Sequence, residues 1–304
     1  MARLLQKNWL RLILVFIIAF ALSLTAGLII KAKLAEKQTE EKENTSEEEP
    51  EPEEEVPQIP EFIDLQPVVD AWLATVNGDV GLVFYDFDNQ RVAAEYQPNV
   101  VFNSASVYKL FFAYDGYQQI DAGVDDGDEY FTTTYDKGAL TLGQCLDLII
   151  RESYNGCADP LRADSTRFAR AEALATRLGL IKTSSAGLYS TAADLTELMK
   201  LYWQHPDLSE ASWEAILDSM LNQPKTTYDW RRGFPSGFNQ ALVYDKVGWD
   251  YTGSYWRVYN DVSFVVFPTV NRHYIMTILT SDFVTYDPIT ALGSQVEAAI
   301  LEQS

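Results

Sequence analysis

The order of its periodic segments constrains the fold of this chain more than any other feature. Between about Phe62 and Ser304, β-rich runs stand near both ends and helical periodicity fills the middle. The β-rich runs cover residues 80–87, 91–96, 241–249, 255–267 and 273–281. The helical runs cover residues 62–76, 106–123, 141–153, 165–179, 191–203, 211–221 and 288–303. The order predicts an α+β fold, with a five-stranded antiparallel sheet flanked by N- and C-terminal helices and joined to a helical lobe.

A long apolar run precedes this region. Residues 12–30 contain no charged side chain and are about as long as a helix that crosses a bilayer. They predict a single transmembrane anchor, and the three basic residues in the short segment 1–11 favour a cytoplasmic N-terminus. A cleaved signal peptide is the alternative. The apolar run, however, continues to Ile30 past the small residues at 23–27, which a cleavage region should not do.

The charge of the chain is concentrated in one segment. Its formal net charge is -21, which argues against nucleic acid as a partner because phosphate binding needs a basic surface. Residues 31–60 are rich in Glu, Lys, Ser, Thr and Pro and have little apolar surface to bury, so they predict an acidic disordered linker. The domain 61–304 would then lie outside the cytoplasm, with the protein held at the cell membrane by its single N-terminal span.

Cysteine and histidine are scarce. The only cysteines, Cys145 and Cys157, flank a predicted turn and could either form a disulfide or remain two buried thiols. His205 and His273 have no ligand-like neighbours, so neither a zinc site nor any other metal is predicted. The same isolation argues against a Ser-His-Asp triad, and there is no Gly-x-Ser-x-Gly elbow.

One serine and one lysine form a candidate catalytic pair. Ser106 and Lys109 lie three apart in FNSASVYKL (residues 102–110), where a helix is predicted to begin, so their side chains share one face. Such a pair arises about once by chance in a chain of this length. The neighbouring residues are mostly apolar, however, which predicts that the lysine is buried. A buried lysine with a lowered pKa can act as the base that a serine nucleophile needs.

Two further motifs follow in order. RESYNGCAD contains Ser153-Tyr154-Asn155, and the first returning strand contains Lys246-Val247-Gly248. With Ser-x-x-Lys, Ser-x-Asn and Lys-x-Gly in this order, the sequence resembles the penicillin-recognising serine enzymes, most closely the class A β-lactamases and their D,D-peptidase relatives. The resemblance extends over the whole domain, from the opening hairpin to the last strands. Capping residues and an ordinary exposed strand are the structural alternatives for these motifs.

The resemblance implies a role for each catalytic residue. Ser106 attacks an amide carbonyl and becomes acylated, and Lys109 takes or relays its proton. Ser153 passes a proton to the leaving nitrogen, and Lys246 tunes it electrostatically.

The resemblance also implies three substrate-binding residues. Asn155 would hydrogen-bond Lys109 or a side-chain amide of the substrate. The backbone N–H groups of Ser106 and Trp249 would form the oxyanion hole. Gly248 would leave room for a substrate lying along the strand.

The sequence departs from the family pattern in two places. Class A enzymes carry a loop glutamate that activates the deacylating water, but residues 180–191 (LIKTSSAGLYST) contain no acidic residue, which predicts an absent or very short loop. Val247 stands where a Thr or Ser would bind the substrate carboxylate, and Arg231 or Arg232 is the candidate replacement.

These observations predict a membrane-anchored serine hydrolase of the class A type, acylated on Ser106 by a β-lactam or related amide and needing no cofactor. One alternative is a D,D-peptidase-like penicillin-binding protein that acts on peptidoglycan stem peptides. The alternative from another class is an inactive relative that binds cell-wall peptide or a membrane partner.

Overall fold

The computed structural model describes residues 59–185, 187–224, 232–250, 258–282 and 285–304. The chain divides into two units at Pro57, and all of the described residues belong to the second unit. The predicted anchor at 12–30 and nearly all of the predicted linker lie outside the described residues. Among the residues that are described, no helix has the length and apolar character needed to cross a membrane.

The described chain follows the predicted order of strands and helices. The strands are β1 (Asp79–Asp86), β2 (Arg91–Tyr96), β3 (Phe102–Asn103), β4 (Tyr130–Thr132), β5 (Ala139–Thr141), β6 (Tyr189–Ser190), β7 (Leu242–Asp250), β8 (Val258–Phe267) and β9 (Arg272–Ser281). The helices are α1 (Gln66–Leu73), α2 (Lys109–Asp121), α3 (Leu142–Arg151), α4 (Asn155–Ala163), α5 (Ser165–Arg177), α6 (Ala192–Gln204), α7 (Glu210–Leu221), α8 (Phe234–Gly237) and α9 (Asp287–Glu302). A 3-10 turn, Ala105–Tyr108, leads directly into α2.

The predicted five-stranded antiparallel sheet is confirmed. Its strand order is β2-β1-β9-β8-β7, and every neighbouring pair is antiparallel. Among the described strands of this sheet, β7 pairs with β8 alone, so β7 is an edge strand. Because side chains alternate along a strand, Lys246 and Gly248 point to one face and Val247 to the other.

Each face of the sheet is covered by its own apolar cluster. The face that carries Val247 packs against α1 and α9, and the indole of Trp72 ties these two helices together by donating to Pro288 O at 2.8 Å. The other face packs against the helical lobe, with α2 at its centre. Helix α2 is buried on all sides from Lys109 to Tyr117, as expected of a central helix. This places Lys109 at the seam between the lobe and the sheet.

Some elements are missing from the sequence-based set. Helix α4, the short helix α8 and the two-stranded pairs β3–β6 and β4–β5 were not predicted. These strands are only two or three residues long, too short to show a period. The predicted helix at 62–76 is restricted to α1. The two cysteines, which the sequence left as a disulfide or two thiols, form a disulfide that joins α3 to α4.

Candidate active site

Ser106 lies on the 3-10 turn at the entrance to α2 and is half-buried. The preceding residue, Ala105, has a φ of +44°, in the left-handed region that a non-glycine residue rarely adopts. Its N–H donates to the side-chain oxygen of Asn103 at 2.8 Å. Ser106 therefore lies on the turn before α2. The sequence had predicted that Ser106 is the first residue of that helix.

Lys109 is fully buried and lies among four oxygen atoms. Its Nζ lies 3.1 Å from Ser106 Oγ and 3.2 Å from Ser153 Oγ, and it donates at 2.6 Å to both Ser153 O and Asn155 Oδ1. Burial, followed by repulsion from Lys246, holds the pKa of Lys109 well below the ordinary lysine value, while Asp159 opposes the shift. The structure therefore brings the predicted serine, lysine and asparagine together around one amine.

The acceptors around Lys109 orient its lone pair. Ser153 O and Asn155 Oδ1 are carbonyl oxygens, which only accept hydrogen bonds. A neutral amine has two N–H groups, and these two close acceptors occupy both. The remaining lone pair can then accept the hydroxyl proton of Ser106, as a general base requires.

Ser153 bridges the two lysines. Lys246 is fully buried and donates from Nζ to Ser153 Oγ at 2.9 Å and to Val247 O at 2.7 Å. Burial lowers the pKa of Lys246 to about 7, although the carboxylates of Asp245 and Asp261 oppose the shift. Ser153 itself has a φ of +52°, a conformation that costs on the order of 1–3 kcal/mol and persists only where its surroundings impose it.

The structure adds a second reason for Gly248, and the predicted role in leaving room for a substrate stays a prediction. A Cβ atom at this position would lie 2.8 Å from Ser104 O, closer than real Cβ contacts come, and a tight 3.1 Å from Val107 N. The side-chain position of Gly248 therefore faces the turn that carries Ser106. Because Gly248 has no side chain, β7 can pack against that turn. The half-buried Trp249 is the next residue along the strand. The oxyanion-hole role of the Trp249 N–H stays a prediction.

Comparison with known proteins places these residues in a family. A family model described as "Beta-lactamase enzyme family" matches residues 64–303, which is most of the chain. The chain belongs to the beta-lactamase enzyme family. A search of curated proteins found no significant match.

Solved structures share the fold of this family member. A beta-lactamase from Chitinophaga pinensis DSM 2588 is 20% identical, with a TM-score of 0.66, and the match covers 77% of this chain and 97% of that one. PBP-A is 19% identical, with a TM-score of 0.68 and coverage of 81% and 100%. An ancestral class A beta-lactamase is 18% identical, with a TM-score of 0.66 and coverage of 79% and 100%. At these identities the likeness shows the fold alone.

The middle residue of the Lys-x-Gly motif packs in the hydrophobic core of this family member. The side chain of Val247 is 1% exposed and belongs to the apolar cluster against α1 and α9. Of the two arginines considered as its replacement, Arg231 lies outside the described residues. Arg232 is exposed and precedes the short helix α8. The residue that would bind a substrate carboxylate stays unassigned.

The segment at 180–191 is held by acidic residues from outside it. A bridge between Ser184 and Tyr189 closes a small hairpin, and β6 within it pairs with β3 just ahead of Ser106. The carboxylate of Glu172, on α5, accepts a hydrogen bond from Ser185 N at 2.6 Å. Sequence reasoning missed Glu172 because it looked for an acid only within the segment. A search that included the last two turns of the preceding helix could have identified Glu172.

Proposed function

We propose that this protein is a serine hydrolase whose Ser106 is acylated by a β-lactam or a related amide. The hydrogen-bond pattern of Lys109 carries the proposal. Two carbonyl acceptors at 2.6 Å occupy its N–H groups, and Ser106 Oγ lies 3.1 Å from the same nitrogen. A pKa held well below the ordinary lysine value favours the neutral form of Lys109 that a base requires.

Acylation follows from these contacts. The lone pair of Lys109 takes the hydroxyl proton of Ser106 as Oγ forms a bond to the carbonyl carbon. The N–H groups of Ser106 and Trp249 would donate to the oxyanion. As the C–N bond breaks, the proton passes from Lys109 through the Ser153 hydroxyl to the leaving nitrogen. The products are an ester on Ser106 and an amine, with Lys109 neutral again.

Release of the acyl group requires a water molecule and a base placed to activate it. Residues 180–191 supply no acidic residue, and the carboxylate of Glu172 is already bound to the backbone of Ser185. A long-lived acyl-enzyme is therefore expected, which favours a D,D-peptidase-like penicillin-binding protein as the second candidate function. One structure with this fold is a point mutant of PBP-A in an acyl-enzyme complex with penicillin G. That precedent supports acylation by penicillin as the first assay.

The location is part of the proposal. The apolar run at 12–30 would anchor the protein in the cell membrane, and residues 31–60 would hold the domain away from it on the extracytoplasmic side. The disulfide is consistent with an oxidising compartment. Deleting residues 1–30 should move the protein from the membrane fraction to the soluble fraction. Full retention in membranes would contradict the anchor.

The test of function uses the purified protein with a fluorescent penicillin, a chromogenic cephalosporin and a D-Ala-D-Ala peptide. We expect labelling by the penicillin, and no labelling of Ser106→Ala. The matched control is Ser104→Ala, which removes a buried neighbouring hydroxyl that lies outside the lysine network and should keep the labelling.

The pattern of outcomes distinguishes the candidates. Labelling without cephalosporin turnover supports the peptidase-like function, and turnover supports a lactamase. If the wild-type protein reacts with none of the three, the enzyme proposal fails. The inactive relative that binds cell-wall peptide or a membrane partner would then replace it.

A further inference from the structure

The segment that completes the site has an irregular backbone. Ser153 and Asn155 supply three of the four oxygen atoms around Lys109, and both lie where α3 ends and α4 begins. Ser153 has a left-handed φ of +52°. The residue before α4, Tyr154, makes no side-chain capping hydrogen bond, and Pro160 interrupts the helix. A short helix with neither a side-chain cap nor a complete hydrogen-bond ladder does not hold its first turn in place unaided.

A buried disulfide spans this segment. Cys145 is the fourth residue of α3, Cys157 is the third residue of α4, and both side chains are fully buried. Ser153 and Asn155 both lie between the two cysteines, which are 12 positions apart in the sequence. Helix α3 is in turn fixed by a capping box at Thr141 and by a fully buried apolar face. The disulfide therefore connects the first turn of α4 to a well-anchored helix.

Non-covalent contacts hold the rest of the segment. Tyr154 packs against the core of the lobe and donates from its hydroxyl to Asp136 Oδ1 at 3.2 Å, and Glu152 forms an ion pair with Lys137 at 2.9 Å. Tyr154 N donates to Leu148 O at 3.1 Å, and Thr134 N donates to Gly156 O at 3.0 Å. All of these contacts are non-covalent, whereas the geometry around Lys109 keeps two acceptors at 2.6 Å. The covalent link lies two residues from Asn155.

We infer that the Cys145–Cys157 disulfide positions the catalytic segment, holding Ser153 and Asn155 against Lys109. The inference rests on the proposed acylation of Ser106. The disulfide acts through these residues and touches no reacting atom, so its cysteines are positioning residues. Their complete burial argues against a role as a redox switch, because a reductant would not reach the sulfur atoms in the folded protein.

Loss of the link should change the proton chemistry of Lys109 as well as stability. The charged groups that face Lys109 are Lys246 on β7 and Asp159 on α4, and burial is the main reason for its low pKa. Movement of the segment would admit water and raise the pKa of Lys109 toward its ordinary value. The base would then be protonated at neutral pH and would recover only at higher pH.

The test compares two variants of the full protein. Cys145→Ala combined with Cys157→Ala removes the link. Val296→Ala, the matched control, creates a cavity in α9 on the opposite face of the sheet and lowers stability without touching the segment. If the first variant does not fold, Cys145→Val with Cys157→Ala restores part of the lost volume. The measurements are the Tm, the rate of labelling by a fluorescent penicillin from about pH 5.5 to about pH 9, and hydrogen exchange across residues 148–158.

The expected result separates positioning from stability. The double variant should label at least tenfold more slowly at pH 7, with a deficit that shrinks as pH rises, whereas the control should change less than twofold. A double variant with a lowered Tm but the wild-type rate and pH profile would overturn the inference.

Hydrogen exchange tests the positioning role of the disulfide even if the proposed acylation of Ser106 is wrong. If the wild-type protein does not label at all, the proposed function fails, and the Tyr154 amide decides the positioning role. Protection lost there in the double variant but kept in the control supports positioning. Equal protection in both variants refutes it.

Discussion

Lys246→Met should make the protein more stable at neutral pH and less active. Lys246 is fully buried, and its pKa falls from the ordinary 10.5 to about 7 in the folded protein. This difference corresponds to a cost of about 5 kcal/mol in the free energy of unfolding below pH 7. Between the two pKa values the unfolded chain binds a proton that the folded protein does not, so wild-type stability rises with pH. The cost falls to about 2 kcal/mol at pH 9 and disappears above pH 10.5.

Methionine removes this cost but also removes two hydrogen bonds. Ser153 Oγ and Val247 O lose the donor that lies 2.9 and 2.7 Å away, although Ser153 Oγ keeps its contact with Lys109. Leaving these oxygens without Lys246 costs about 2 kcal/mol in total. The free energy of unfolding of the variant should therefore exceed that of the wild type by about 2–3 kcal/mol at pH 7. The two values should be equal near pH 9, and the variant should be the less stable protein above that pH. Its labelling by penicillin should fall at least tenfold, because Ser153 Oγ loses the hydrogen-bond donor that lies 2.9 Å away.

Urea unfolding at one-unit steps from pH 6 to 10 measures the effect. The matched control is Lys182→Met, which removes an exposed lysine whose Nζ donates to Asn99 O and should change stability by less than about 0.5 kcal/mol at every pH. A Lys246→Met protein that is less stable than the wild type throughout this range would refute the reasoning. A parallel pH dependence in the two proteins would show that Lys246 is protonated when folded.

Three further changes test other parts of the site. Gly248→Ala places a Cβ atom 2.8 Å from Ser104 O and should cost about 1–3 kcal/mol, seen as a lower Tm and slower labelling; an unchanged Tm would contradict the close approach. Glu172→Gln weakens the bond to Ser185 N and should cost about 1–2 kcal/mol by urea unfolding, and a neutral result would show that the hairpin is held otherwise. Wild-type labelling should reach its plateau well below pH 10.5, because the pKa of Lys109 is depressed, while Lys109→Met should label at least a hundredfold more slowly at every pH. Comparable labelling by that variant would remove Lys109 from the mechanism.

Local pattern predicted most of the architecture. The five long strands are rich in β-branched and aromatic residues, and most of the longer helices carry apolar residues at helical spacing. The predicted helix at 191–203 and the observed α6 differ by one residue at each end. Helix α4 escaped prediction because it is short, contains Pro160 and owes its place to contacts outside itself. The hairpin at Ser184–Tyr189 escaped for a similar reason, since its anchor is Glu172 on another helix.

The sequence by itself determined the order of the elements and named the residues that the structure brings together around Ser106 and Lys109. Ser106 and Lys109 are neighbours on one helical turn, so their proximity is a local property. The partners Ser153 and Lys246 were suggested only by the order of the motifs. Ser153 contacts Lys246 across 93 residues of chain and Lys109 across 44.

Only the tertiary structure decided the chemistry of that group. It buried both lysines, aimed two carbonyl oxygens at Lys109 and brought β7 against the turn at Gly248. It also paired Cys145 with Cys157, a choice the sequence left open. A pKa depends on desolvation and on charges within a few ångströms, and these are set by parts of the chain that meet only in the folded protein. Sequence periodicity reports which face of an element is buried, and the fold alone determines what lies across from it.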